Sequence, residues 1–207
     1  MRVLPILSDV KTQSGKVKRH YFHQDLWAAR RIYEEKPAKH IDVGSRVDGF
    51  VAHLLTFMDV TVIDIRSFKS KIKGLTFHQA DMMEHDPGHN RILVESVSCL
   101  HALEHFGLGR YGDPVCLNGW EKGLRNLAAL VAPGGRLYLS VPIGPQVIEF
   151  NAQRIFKPET IITAAAKLDL QLIEFSYIDD AGDLHESVGI NEAKGCTYGC
   201  GCFLFSR

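Results

Sequence analysis

Apolar positions along this chain switch between two periods, and the switching lays out the expected elements. Phe22, Leu26, Ala29, Ile32 and Tyr33 recur at three- and four-residue steps, the pattern of an amphipathic helix that Pro37 brings to an end. The short apolar run His40-Ile41-Asp42-Val43 follows at once and closes on Gly44. Phe50, Val51, Leu54, Leu55 and Phe57 restore the helical period, and Val60-Thr61-Val62-Ile63-Asp64 returns to a compact apolar run. The result is a β-α-β unit with the carboxylates of Asp42 and Asp64 carried on its strands.

The same rhythm continues to the C-terminus. A short third strand is expected at 75–78, followed by Ala80-Asp81-Met82, and a fourth at 91–99. Gly107 and Gly109 end whatever helix begins after that strand. Trp120, Leu124, Leu127, Leu130 and Val131 mark a helix closed by Pro133-Gly134-Gly135, and a fifth strand at 136–141 is broken by Pro142-Ile143-Gly144-Pro145. Pro158 suits the first turn of a helix through Ile161, Ile162, Ala165 and Leu168. A sixth strand at 170–178, a polar loop at 179–194 and a last strand at 202–205 complete the series.

Strands alternating with helices imply an α/β fold with a doubly wound, mostly parallel sheet. The expected organisation is one domain: an irregular arm at 1–20, a leading helix at 21–36 and the α/β core at 40–207. In such a sheet the C-terminal strand ends gather along one edge, where ligands bind, so Asp42, Asp64 and Asp81 are expected to converge. Asp64 lies about twenty residues past the glycine turn, the spacing at which a carboxylate accepts both hydroxyls of a ribose. Tyr21, Phe22 and Trp27 at helical spacing read as core residues, with a lid over a ligand as the sharper alternative.

Composition narrows the partners. Lys and Arg number 24 against 24 Asp and Glu, so no chain-wide field favours nucleic acid or an anionic membrane. No apolar run reaches the roughly 18–20 residues of a membrane span, and the first residues carry too short an apolar core for a signal peptide. Five cysteines, an odd count in a chain of this length, favour reduced thiols over a disulfide framework. A cytoplasmic protein is the simplest expectation, and the oligomeric state is not legible.

Specific residues go further than the periodicity. Asp42-Val43-Gly44, the strand-terminal Asp64, Leu103-Glu104-His105, and the run from Leu130 through Pro133-Gly134-Gly135 to Pro142 resemble the class I S-adenosylmethionine-dependent methyltransferases in order and spacing. The segments 21–27 and 104–114 are similar to a small uncharacterised methyltransferase-like family first catalogued in nematodes. The resemblance implies a Rossmann-like sheet of seven strands, one of them antiparallel near the C-terminus, with the last two strands in a hairpin. It implies S-adenosylmethionine as cofactor. Gly44, Ser45, Arg46 and Gly49, with Asp42, would sit against the amino-acid portion, Asp64 and Ile65 at the ribose, and Asp81 with Met82 at the adenine. Cys99 and Leu100, with His101, would line the methionine side. The loop departs from the family pattern, since Arg46 and Asp48 stand where later glycines are usual; Arg46 would either pair with the cofactor carboxylate or fill the pocket.

Methyl transfer asks the protein for alignment and, with oxygen or nitrogen acceptors, for a proton acceptor. His105 and His101 are the candidate bases, because an imidazole titrating near pH ~6.5 accepts a proton at neutrality. Tyr111 and Asp113 in the following turn are candidate substrate contacts. The acceptor expected is a small or sugar-containing molecule. Rival readings are a methyltransferase-like module that binds without catalysis, and a zinc hydrolase using His101, Glu104 and His105, which match H-x-x-E-H but lack a third ligand beyond guesses such as Glu174 or Glu186. His85 to His89 reads as a polar turn rather than a metal site. Cys196, Cys200 and Cys202 are spaced like metal ligands but lack an evident fourth and read as structural.

Overall fold

The helical period before Pro37 is realised as α1 (Arg19–Glu35), which leads into β1 (His40–Val43). This is a computed structural model, and it describes residues 4–5, 7–12, 17, 19–84 and 93–207. The polar turn expected at His85 to His89, and the first two residues of the expected fourth strand, lie outside the described residues. After β1 the chain enters a π turn, Val47–Val51, that runs straight into the three-residue α2 (Ala52–Leu54). The strands that follow are β2 (Val60–Asp64), β3 (Leu75–Gln79) and β4 (Val94–Leu100). Then come α3 (Gly119–Leu130), β5 (Val131–Ile143), a hairpin of β6 (Val147–Glu149) and β7 (Gln153–Ile155), and α4 (Pro158–Ala166). The chain closes with β8 (Gln171–Ile178), β9 (Leu184–His185) and β10 (Gly199–Ser206).

The main sheet has the order β3-β2-β1-β4-β5-β10-β8-β9. Strands β1 to β5 pair in parallel, and β10 runs antiparallel between β5 and β8. The doubly wound expectation holds, with eight strands instead of seven. The extra strand is β9, two residues from the expected polar loop that pair with Tyr177 and Ile178 at the sheet edge. A turn in which the Asp179 carboxylate accepts the amides of Ala181, Gly182 and Asp183 brings it back there.

Both ends of β5 differ from the sequence pattern, and β10 starts three residues before the expected 202. β5 begins at Val131 and carries Pro133-Gly134-Gly135 within its first turn of chain, because the Gly134 amide bonds Arg207 and the Gly135 carbonyl accepts from Arg207. At its other end Pro142 stays in the strand, where its carbonyl accepts the Phe156 amide and its missing donor is tolerated. The helix expected after β4 is only a 3-10 turn, Leu103–His105.

Alternation sorts the core onto two faces. Phe203 and Phe205 of β10 join Leu124, Leu127 and Phe156 under α3 and α4. Cys200, Cys202 and Leu204 point the other way and pack with Trp27, Ile32, Phe50 and Tyr138 under α1 and α2. Burying such side chains contributes about 1.5–3 kcal/mol each. Arg31 fixes α1 across the sheet by binding both carboxylate oxygens of Glu174 on β8. The first turn of α1 is thereby set above the C-terminal end of β4 and the N-terminal end of β10, with His20 against His101 and Tyr198.

Candidate functional site

A cavity of about 1020 Å3 opens at the C-terminal edge of the sheet. It spans the point where the strand order reverses between β1 and β4, the place where open α/β sheets bind ligands. Of the expected site residues, Gly44, Ser45, Arg46, Asp64, Ile65, Asp81, Met82, Leu100, His101, His105, Tyr111 and Asp113 line it. Asp42, Gly49 and Cys99 do not.

Those three exceptions have physical reasons. Asp42 is fully buried beneath the loop and accepts the Ser45 amide at 3.1 Å and the hydroxyls of Ser45 and Ser98 at 2.6 Å each. Burial pushes its carboxyl up to about 6 despite these bonds. Its work is to shape the loop, since Ser45 Oγ in turn accepts the Leu100 amide at 3.0 Å and ties β1 to β4. Gly49 serves packing: a Cβ there would stand 2.8 Å from Asp25 Oδ2 on α1. Cys99 faces the α3 side of the sheet, and strand alternation leaves Leu100 to line the cavity.

One end of the cavity is a glycine cradle with a carboxylate. Gly44 has φ +73°, and a Cβ on it would lie 2.8 Å from Ala102 Cβ, so glycine is required for the turn and for the approach of the two loops. Asp64 accepts the Arg66 amide at 2.8 Å and binds the Arg66 guanidinium through both oxygens. That guanidinium also lies 4.8 Å from the centre of the Tyr111 ring. Asp81 accepts the Met83 amide at 2.8 Å. Arg46 turns to Asp48 and stacks over Tyr21 at 5.2 Å, so it edges the cavity without filling it.

The other end is a cluster of imidazoles around one buried carboxylate. His101 adopts φ +52°, held by bonds from its amide to Ser140 O and Oγ. Its Nδ1 meets Glu104 Oε1 at 2.6 Å and its Nε2 meets His20 Nδ1 at 3.0 Å. Burial would raise the fully buried Glu104 carboxyl, but His101 and His105 outweigh it and hold it below the usual range. His105 donates through Nδ1 to the Ala152 carbonyl at 2.7 Å, which leaves Nε2 as its acceptor. Burial lowers its pKa, with Glu104 acting in the opposite sense.

Glu104 Oε1 lies 2.6 Å from His101 and 3.5 Å from His105, between the two imidazoles. The H-x-x-E-H match therefore does not place both imidazoles on one ion with the glutamate free to activate water. Asp113, expected as a substrate contact, spends both oxygens on the amides of Gly107, Gly109 and Tyr111 and holds the loop in shape.

The sequence pattern missed several participants. Arg154, 2% exposed, donates to the carbonyls of Glu104, Phe106, Cys116 and Leu117 and pins the wall at the imidazole end from β7. Tyr198, bonded to Gln153 at 3.0 Å, reaches the same end from the β10 side, beside His20. Nothing in the local pattern marks these residues. Tyr21 carried a signal, and it lines the cavity as a lid would, whereas Trp27 is core and Phe22 is partly exposed.

Residues 40–194 match the family described as Caenorhabditis protein of unknown function, DUF268. No curated protein matches the chain. Among solved structures, an N-methyltransferase, NodS, from Bradyrhizobium japonicum in complex with S-adenosylhomocysteine is 13% identical, with a TM-score of 0.58 over 89% of this chain and 86% of that one. An S-adenosylmethionine-dependent methyltransferase from Clostridium acetobutylicum is 11% identical, TM-score 0.61, covering 97% and 94%. The amino pentose methyltransferase CalS10 from Micromonospora echinaspora, bound to S-adenosylmethionine, is 14% identical, TM-score 0.58, covering 100% and 99%. The fold is that of the S-adenosylmethionine-dependent methyltransferases.

Proposed function

We propose, from the premise that this chain belongs to the DUF268 family and has a methyltransferase fold, that it is an S-adenosylmethionine-dependent methyltransferase. The observation that carries the reading is the single cavity with a glycine cradle and strand-end carboxylates at one end and buried imidazoles at the other. Its acceptor is a small or sugar-containing molecule methylated at oxygen or nitrogen. The neighbours named for an N-methyltransferase and an amino pentose methyltransferase support that class.

The residues fit the cofactor where the fit is most demanding. Gly44 leaves open the space that any Cβ would close, and Asp64 offers a carboxylate at the end of β2. Gly44 and Ser45 would hold the amino-acid portion, Asp64 and Ile65 the ribose, Asp81 and Met82 the adenine. When bound, the sulfonium supplies an electrophilic methyl group. Leu100 and Ala102 would set the wall beside it and exclude water. His105, with Nδ1 committed to Ala152 and Nε2 3.5 Å from Glu104 Oε1, would take the acceptor's proton on Nε2 as the acceptor's lone pair takes the methyl, the methyl–sulfur bonding pair staying with the departing S-adenosylhomocysteine. Lowered by burial, this imidazole is neutral and ready to accept at pH 7. His101 and Glu104 would position the neighbouring wall.

A second reading, binding without catalysis, draws on one observation: Arg66 already occupies both oxygens of Asp64. Incubation with methyl-labelled S-adenosylmethionine and a panel of small hydroxyl and amine acceptors tests the first. Labelled product and S-adenosylhomocysteine in equal amounts are expected, and the yield falls about a hundredfold in His105→Gln. A chain that binds no S-adenosylhomocysteine at millimolar ligand and forms neither product with any acceptor supports the second.

A further inference from the structure

The proposed reaction leaves part of the imidazole cluster unused. His20 Nδ1 lies 3.0 Å from His101 Nε2, and these atoms and Cys200 Sγ fall within 4.8 Å of one another. The three donors come from α1, the bend after β4, and β10, so no local spacing produces the grouping. His101 reaches it from a left-handed backbone conformation, which is strained in a non-glycine residue and persists only where surrounding bonds enforce it.

The surroundings of His101 are those of a metal ligand. Glu104 Oε1 takes the Nδ1 side at 2.6 Å, an arrangement that fixes the tautomer and turns the Nε2 lone pair toward His20 and Cys200. Glu104 is wholly buried, and its Oε2 has no hydrogen-bond partner among the described residues. The nearby Arg154 guanidinium spends its bonds on carbonyl oxygens instead. A buried carboxylate faced only by imidazoles is costly unless a positive charge joins it, and a cation on His101 supplies that charge.

We propose that His20 Nδ1, His101 Nε2 and Cys200 Sγ bind one borderline-soft divalent ion of the zinc class, with Glu104 orienting His101 from behind. Two imidazoles and a thiolate select such an ion over magnesium or calcium, which prefer oxygen donors. Of the three donors only His101 lines the cavity, and a water would complete the coordination. This ligand set differs from the His101, Glu104, His105 match in the sequence, and it uses Cys200 without Cys196 or Cys202. It stands apart from the methyl-transfer reading.

The full chain, stripped with a chelator and titrated anaerobically with Co2+, tests the site. Saturation at one equivalent is expected, with a thiolate-to-cobalt charge-transfer band and the strong visible bands of four-coordinate cobalt, both abolished by added Zn2+. Cys200→Ser should remove the charge-transfer band, and His20→Gln and Glu104→Gln should each weaken cobalt binding at least about tenfold. His20 sits in the first helical turn, so its variant reads the site even where Cys200→Ser fails to fold. Absence of the band at one equivalent, or a band of undiminished affinity in His20→Gln, overturns the proposal. Cobalt binding without any binding of S-adenosylhomocysteine would keep the metal site and reject the methyl-transfer reading instead.

Discussion

The two ends of the cavity are built by different means. At the glycine end each element is local: Gly44 follows β1, Asp64 closes β2 and Asp81 follows β3, so every group sits where its own strand stops. At the imidazole end the participants converge from far apart, with His20 and Tyr21 from α1, His101 and His105 after β4, Gln153 from β7 and Tyr198 just before β10. The first end depends on backbone geometry, the second on buried polar bonds that hold separate segments together. Substitutions should therefore separate them.

The largest effect is expected at Arg154, the residue on which the wall at the imidazole end hangs. Arg154→Met removes the guanidinium from four carbonyls, of which, among the described residues, only that of Cys116 keeps another donor, the Gly119 amide, and should cost about 3 kcal/mol or more of stability by urea unfolding. At temperatures where the variant stays folded, its affinity for S-adenosylhomocysteine should remain within about threefold of the wild type. A comparable loss of affinity would show that the two ends are not separable.

Next in size is Asp64→Ala, expected to lower S-adenosylhomocysteine affinity about a hundredfold, roughly 2.7 kcal/mol, by removing a charge-assisted contact to the ribose. His105→Gln should leave that affinity unchanged while turnover falls. Calorimetry on the two variants sharpens the contrast, since equal effects would merge the two ends.

The smallest effect concerns the buried floor under the glycine end. His40, bonded to Ser96 and Ser98, is held neutral by burial, with its pKa lowered to about 3. Its contribution to stability is full above the unfolded value near 6.5 and is lost as pH falls toward 3. Asp25 and Asp42 have folded values raised to about 6, so their contributions are present in acid and lost as pH rises through 6. Between pH 6 and 4 the two carboxyls work against the loss that His40, and His105 with it, bring on acidification. Below pH 4 they are spent, and His40 costs about 1.4 kcal/mol per unit, alongside the carboxylates held below their usual range, Glu104, Glu174 and Asp179 among them. His40→Gln should flatten this acid limb in pH-dependent urea unfolding; an unchanged limb would contradict the assignment.

The same difference explains what the sequence could disclose. Strand-end residues such as Gly44 and Asp64 are legible because periodicity locates the strand and the sheet does the rest. Leu100, rather than Cys99, lines the cavity because of alternation, which a boundary misplaced by one residue inverts. Asp42 and Asp113 looked like site groups because they are acidic and near strand ends or turns, yet backbone amides or local hydroxyls consume their oxygens. His20, Tyr198 and Arg154 carried no local signal, since only the tertiary fold brings them to His101 and Glu104. The hidden strand β9 and the extension of β5 through Pro142 likewise depend on pairing partners distant in sequence.

Titration of the wild-type chain with S-adenosylhomocysteine at neutral pH tests the central claim most directly. One site with a dissociation constant of about a micromolar, near −8 kcal/mol, is the result predicted. No binding heat at millimolar ligand would contradict it, and would leave Gly44 and Asp64 as remnants of a fold retained without its cofactor.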